Sequence, residues 1–162
     1  MFIYLAFIFL TSSSELKLIP GTGSPPEAMI TSAAVYDNKT NTIYSLGGDQ
    51  TQNSKITASV NAFNLDTSKW QEIRMESNFV PNALANHAVY LRSDRKILAF
   101  GYYTEVLAFH IDTRAWSFEE LKGDQLGGLG TFAFTAFTHN QTEFVAIFGG
   151  MLSDGYSSNL FM

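Results

Sequence analysis

Four short apolar runs between Asn86 and Leu121 constrain this chain more than any other feature. They are Asn86–Leu91, Lys96–Gly101, Glu105–Asp112 and Trp116–Leu121. Each has the length of a strand, is rich in β-branched and aromatic residues, and lacks sustained helical spacing. The links are tight: Arg92–Arg95, Tyr102–Thr104 and Thr113–Ala115. Four strands joined this way predict an antiparallel meander.

The same unit recurs. Ala34-Val35-Tyr36 matches Ala88-Val89-Tyr90, and Leu46-Gly47 matches Phe100-Gly101, both at an offset of 54 residues. Asp66 and Trp70 match Asp112 and Trp116 at 46, and Phe148-Gly149 matches Phe100-Gly101 at 48. The change of offset falls after the glycines, where a long loop is expected over Asp49–Ser59 in the first copy. A period of roughly 50 residues with four strands per copy marks a propeller blade. The landmarks have physical jobs. Paired glycines permit positive φ and close strand approach. The Asp is expected to accept backbone N–H bonds in the turn between third and fourth strands. The Trp, four residues on, starts the outer strand and packs between blades.

Gly47-Gly48 and Gly149-Gly150, Asp66 with Trp70, Asp112 with Trp116, and the aromatic residues between them resemble the kelch-repeat family over roughly Glu15 to Met162. Two departures stand out: Tyr102 replaces the glycine after Gly101, and no Arg precedes each first strand. The resemblance implies an all-β, kelch-type β-propeller fragment. Two complete four-stranded blades are expected at about 31–75 and 86–121, with a third, truncated, at 132–162. Closed propellers need about four to eight blades. The chain is therefore expected to be a fragment, a truncated gene model, or a protein that closes by association. Uncovered strand edges predict self-association.

Residues 1–14 read in two ways. The apolar run Phe2–Leu10 followed by Thr11–Ser14 suits a secretory signal peptide, although no Lys or Arg precedes it. It also suits a buried third strand of a preceding blade, with Leu10 and Ser14 where the Asp and Trp would fall. The run is too short to span a bilayer. Glu15–Ile19 reads as a fourth strand. Pro20–Pro26, Phe79–Asn82 and Lys122–Gly130 read as connections between blades. The last lacks the Gly-Lys-Ser/Thr ending and following helix of a phosphate-binding loop.

Net charge is −5 without a basic run, which argues against a nucleic-acid partner. The absence of cysteine excludes a disulfide framework and a thiolate metal site, and with them the cysteine–tyrosine copper-radical chemistry of kelch-like oxidases. His87, His110 and His139 occupy different points of the repeat, so neither a metal nor a cofactor site is expected. His87 is expected to be a half-buried strand residue bonded to a carbonyl. Asp66 and Asp112 hold one structural position in successive copies and are no glycosidase pair.

The kelch resemblance implies a non-catalytic scaffold that binds a protein partner through loops on one face, rather than an enzyme. The alternative is a secreted carbohydrate-binding or carbohydrate-active propeller, with Asp49, Gln50, Tyr102 and Tyr103 as candidate binding residues. Two sequons, at Asn38 and Asn140, fall in turns between first and second strands. In a secreted protein, glycans there would leave the opposite face, including the Asp49–Ser59 loop, for the partner. Secretion is slightly favoured over a cytoplasmic location.

Overall fold

The computed structural model describes residues 19–50, 55–76, 79, 81, 87–100, 105–120, 132–152 and 155–162. The expectations for residues 1–14, for Gly101, Tyr102 and Tyr103, and for the connection 122–130 fall outside them. Among the described residues the protein is all-β. No helix there is long and apolar enough to cross a membrane.

Short strands β1 (Thr22–Gly23) and β2 (Met29–Ile30) precede the first meander: β3 (Ala33–Asp37), β4 (Thr42–Gln50), β5 (Lys55–Asn64) and β6 (Lys69–Glu72). The second meander is β7 (His87–Leu91), β8 (Lys96–Phe100), β9 (Val106–His110) and β10 (Ala115–Glu119). The third sheet begins with β11 (Ala133–His139) and β12 (Thr142–Phe148). A small hairpin, β13 (Met151–Leu152) and β14 (Gly155–Tyr156), follows before β15 (Leu160–Phe161). Strands β3 to β6 and β7 to β10 pair antiparallel in chain order, and β15 lies beside β12 where a third strand belongs. Strand β1 runs parallel to β6.

Three positions differ from the sequence expectation. The first four-stranded copy, expected from about residue 31, begins at Ala33. Strands β2 and β3 both pair with β4, and the chain is broken between them at Thr31, whose φ is 58°. Within the segment expected as the Asp49–Ser59 loop, the described residues 49–50 and 55–59 are strand instead, because β4 and β5 stay paired out to Gln50 and Lys55. The third sheet carries the separate hairpin β13–β14, which the repeat pattern alone does not show.

Four hairpin turns of four residues close the two complete meanders. The last residue of each is left-handed: Asn41 (φ 50°), Ser68 (52°), Arg95 (48°) and Arg114 (52°). The third sheet turns more tightly, with Asn140 and Gln141 both at positive φ between His139 and Thr142. Two central residues at positive φ match the twist of the flanking strands.

The sheets stack face to face. Ala33, Val35, Tyr44, Leu46, Val60 and Ala62 of the first meet Ala88, Ile97, Ala99, Leu107, Phe109 and Trp116 of the second. Alternate residues of the second sheet, Val89, Leu98, Phe100, Val106 and Ala108, point the other way. They pack on Phe132, Phe134, Ala136, Val145, Ile147 and Phe161. The second sheet is therefore buried on both faces, and each large side chain so buried contributes about 1.5–3 kcal/mol. Between sheets, the closest strand approaches among the described residues are β3 to β7 and β7 to β11, so the stack converges on its first strands.

The far side of the first sheet buries Ile43, Phe63 and Trp70, with Ile19 packed on them. Residues 19–24 close this end as a strap. The amide of Thr22 donates to Ser68 O at 2.9 Å and that of Ser24 to Trp70 O at 3.3 Å. A Cβ on Gly21 would fall 2.6 Å from the indole of Trp70, so only glycine fits there unless the ring moves.

Candidate functional site

The two ends of the stack carry different chemistry. At one end lie the turns between first and second strands and between third and fourth strands. The repeat landmarks join these turns. Arg95 Nε donates to Asp112 Oδ1 at 2.9 Å, and at the equivalent positions of the first sheet Asn41 Nδ2 donates to Asp66 Oδ1. Backbone bonds repeat the link: Leu65 N to Asn41 O at 2.9 Å and Ile111 N to Arg95 O at 3.1 Å. The landmark Asp thus reaches across to the neighbouring turn. In the first sheet it is Asn64 Oδ1 that accepts the turn amide of Thr67.

A second set of bonds ties one sheet to the next. Asp37 is wholly buried at the end of β3, where the alternation of the strand points it at the second sheet. It accepts from the Lys39 amide, Thr40 Oγ1, Tyr90 OH at 2.9 Å and Arg95 Nη1 at 2.9 Å. Burial alone would raise its pKa, but these donors and the guanidinium charge together hold it below the usual carboxylate value. Arg95 is held above its ordinary value, first by the bond to Asp112 and despite burial. Glu143 of β12 does the same work between second and third sheets, accepting from the amides of Arg92 (2.8 Å) and Ser93 (2.7 Å). Its pKa is lowered because those bonds outweigh its burial.

The Tyr90 hydroxyl is pushed up to about 12, by burial first and then by donating to Asp37. Its folded-state pKa lies above the unfolded 10.0, so the stabilisation is complete below pH 10 and is lost as pH rises through about 12. Tyr90→Phe should lower stability at pH 7 by about 1.5–3 kcal/mol, the range for a bond to a charged group. It should also remove most of the alkaline loss, leaving the part due to Tyr44, whose pKa burial also raises. Urea unfolding of both proteins from pH 7 to 12 measures this. Parallel alkaline limbs would contradict the assignment.

Beside this network, Tyr36, Tyr90 and Phe137 from the three first strands line a depression of about 270 Å³ with Arg92, Ala136, Thr138 and Glu143. Asn38 and Asn140 sit exposed in turns at the same end.

At the other end, the glycine pairs redirect the chain. Gly47 and Gly48 have φ of 58° and 118°, and Gly149 and Gly150 have 71° and 116°. The near-identity of the two pairs shows one device used twice. In the first sheet it produces a bulge between Leu46 and Gly48, after which β4 and β5 continue as a projecting arm. In the third sheet the arm is β13–β14. Strand β2 lies close against the first arm, where a Cβ on Gly48 would be 3.1 Å from Ile30 O. Large apolar side chains are exposed at this end: Ile30, Ile56, Met151 and Tyr156, the last 87% exposed.

No family model matches this chain, and no curated protein does.

Of the residues singled out from sequence, Asp49 and Gln50 lie in the first arm, and one Asp49 carboxylate oxygen is buried without a partner among the described residues. Gly47, Gly48, Gly149 and Gly150 form the arm bends. Asp66 and Asp112 join turns at the opposite end. Trp70 and Trp116 are the second residues of β6 and β10 and are buried. His87 is half-buried, and among the described residues it has aromatic neighbours, stacking on Phe132 at 4.9 Å and meeting Phe134 edge-on at 5.4 Å. Burial lowers its pKa. Among the described residues, no three His, Asp or Glu side chains are grouped to hold a metal ion. The sequence reading missed Asp37, Tyr90, Arg95 and Glu143. The recurrence of Tyr36 and Tyr90 at one offset was the available signal.

Proposed function

We propose that the three sheets are successive blades of a kelch-type propeller and that the protein is a non-catalytic scaffold. In this reading the arm end presents apolar side chains to a protein partner. Convergence on the first strands supports the propeller reading, since blades crowd at a common axis and splay outward. One observation carries the binding reading. Equivalent glycine pairs in two blades build arms of the same kind, and Ile30, Ile56, Met151 and Tyr156 are left exposed on or beside them. Apolar side chains gathered at one end of a fold mark an interaction surface. The conspicuous ionisable residues support the same reading, because Asp37, Arg95, Asp112 and Glu143 are engaged in holding turns and sheets together.

Peptides selected from a displayed library on the immobilised chain test this. Their binding should weaken by about tenfold or more in an Ile56→Asp/Tyr156→Asp variant, as a charge placed in a desolvated contact loses more than 1.4 kcal/mol. Peptide binding that ignores both substitutions would overturn the arm surface. Glycan-array binding abolished by Tyr36→Ala would favour the carbohydrate reading instead.

A further inference from the structure

This chain closes strand edges by laying further segments along them. Strand β1 runs parallel along the outer edge of β6, where Thr22 N donates to Ser68 O. The next connection repeats that course beside β10: Glu76 N donates to Arg114 O at 3.0 Å, and Phe79 lies 4.6 Å from Phe118. In the first arm, β2 closes the free side of β4 through the antiparallel pairs Met29–Gln50 and Ile30–Asp49.

The β5 edge of the same arm is open. Strand β5 pairs with β6 from Asn64 back to Asn61, and the bond from Ile73 N to Val60 O at 2.8 Å ends that ladder. Beyond it β5 continues as Lys55–Ser59, paired on its β4 side alone among the described residues. Ser59 has no ladder partner there, and its amide turns to Thr57 Oγ1 of its own strand at 3.1 Å. Free edges are usually blunted by Pro, charge or extreme shortness. Here Ile56-Thr57-Ala58-Ser59 contains no Pro and no charged residue, and a Lys stands only at the tip. Five residues of such an edge span about 17 Å, enough for a short strand to pair along it.

The side chains say what kind of strand would fit. Ile56 and Ala58 share one face of β5. Ala58 is buried in the core between first and second sheets, whereas Ile56, farther out on the arm, is 38% exposed. Thr57 faces the other way. A strand alongside would set apolar side chains beside Ile56 and Ala58 and polar ones beside Thr57.

We propose that the partner of the arm surface binds as an extended polypeptide segment of alternating apolar and polar residues, adding a strand to β5 at Lys55–Ser59. This rests on the arm reading above and specifies how that surface is used. Main-chain bonds to the edge supply affinity, and the side chains beside Ile56 supply selectivity.

A peptide from the library selection, one weakened by Ile56→Asp/Tyr156→Asp, is resynthesised with single N-methyl groups along its length. Methylation should weaken binding by about tenfold or more at every second residue and little between them, because alternate amides of an added strand point at the edge. Hydrogen exchange of the full chain should slow at amides within Lys55–Ser59 when the unmethylated peptide binds. A peptide that needs the arm side chains but tolerates methylation throughout, or leaves the β5 amides exchanging as before, would overturn strand addition while the arm surface stands. A selection that yields no peptide, or only peptides indifferent to both substitutions, would overturn the two together. Protection of the β5 amides that rises with protein concentration alone would overturn the proposal in favour of a second copy at the edge.

Discussion

Replacing Arg95 by Ala should destabilise the protein by about 3–5 kcal/mol, the range for removing one member of a buried ion pair. The Asp37 carboxylate is 0% exposed, and Arg95 is the only cation bonded to it among the described residues. Without the guanidinium, a negative charge stays buried between two sheets, held by Tyr90, Thr40 and one amide. Ala is the right replacement, because Arg95 sits at φ 48° and Gly would relieve backbone strain as well. Asp112→Ala removes the other partner of Arg95 but is 68% exposed, so it should lose no more than about 1 kcal/mol. The Arg95 effect should depend on pH with a defined sign. The folded-state pKa of Asp37 is below its unfolded 3.8, so its stabilisation is present above pH 3.8 and is lost as pH falls through the lowered value. Urea midpoints of the parent and Arg95→Ala proteins should therefore converge below that pH. Equal losses from Arg95→Ala and Asp112→Ala at pH 7 would contradict the buried pair.

Trp116→Ala and Trp70→Ala should each lose about 3–5 kcal/mol, as large-to-small changes in a packed core do. Each indole lies against the phenylalanine paired with it on the neighbouring third strand. Trp116 lies 5.1 Å from Phe109 at 48° between planes, and Trp70 lies 4.9 Å from Phe63 at 46°. The consequences differ in place. Trp116 fills the gap between first and second sheets, whereas Trp70 supports the strap across the end of the stack. Each single-tryptophan protein should emit at the blue wavelengths of a desolvated indole. Solvent-like emission from both would contradict the equivalence.

Much of this was legible in the chain. The meander of 86–121, the Asp–Trp spacing and the glycine pairs follow from local rules of alternation and turn chemistry, and they recur. The sheet-to-sheet bonds were not legible, for a physical reason. Asp37 joins residues 53 and 58 positions away, and its equivalents in the other sheets, Leu91 and Phe137, are apolar. A repeat search discards such a residue as noise. The first arm was hidden for the opposite reason. Asp49 and Lys55–Ser59 are polar enough to resemble a loop, and only the ladder past the glycines shows that β4 and β5 continue. Candidate binding residues were consequently sought in a loop, when the exposed apolar side chains sit on and beside paired strands.

The order of strands within each sheet has a kinetic consequence. From β3 to β6 and from β7 to β10, each strand bonds to the one before it, with four-residue turns joining first to second and third to fourth strands. These ladders close short loops, so contact order within a sheet is low and hairpins form on the microsecond scale. The long-range contacts arise from stacking, and there Asp37 must be desolvated together with Tyr90 and Arg95 from more than 50 residues away. The slow step of folding is then the docking of sheets already formed, and the buried ion pair belongs to the late side of that barrier. Its loss would show mainly as faster unfolding, with the rate of folding little changed.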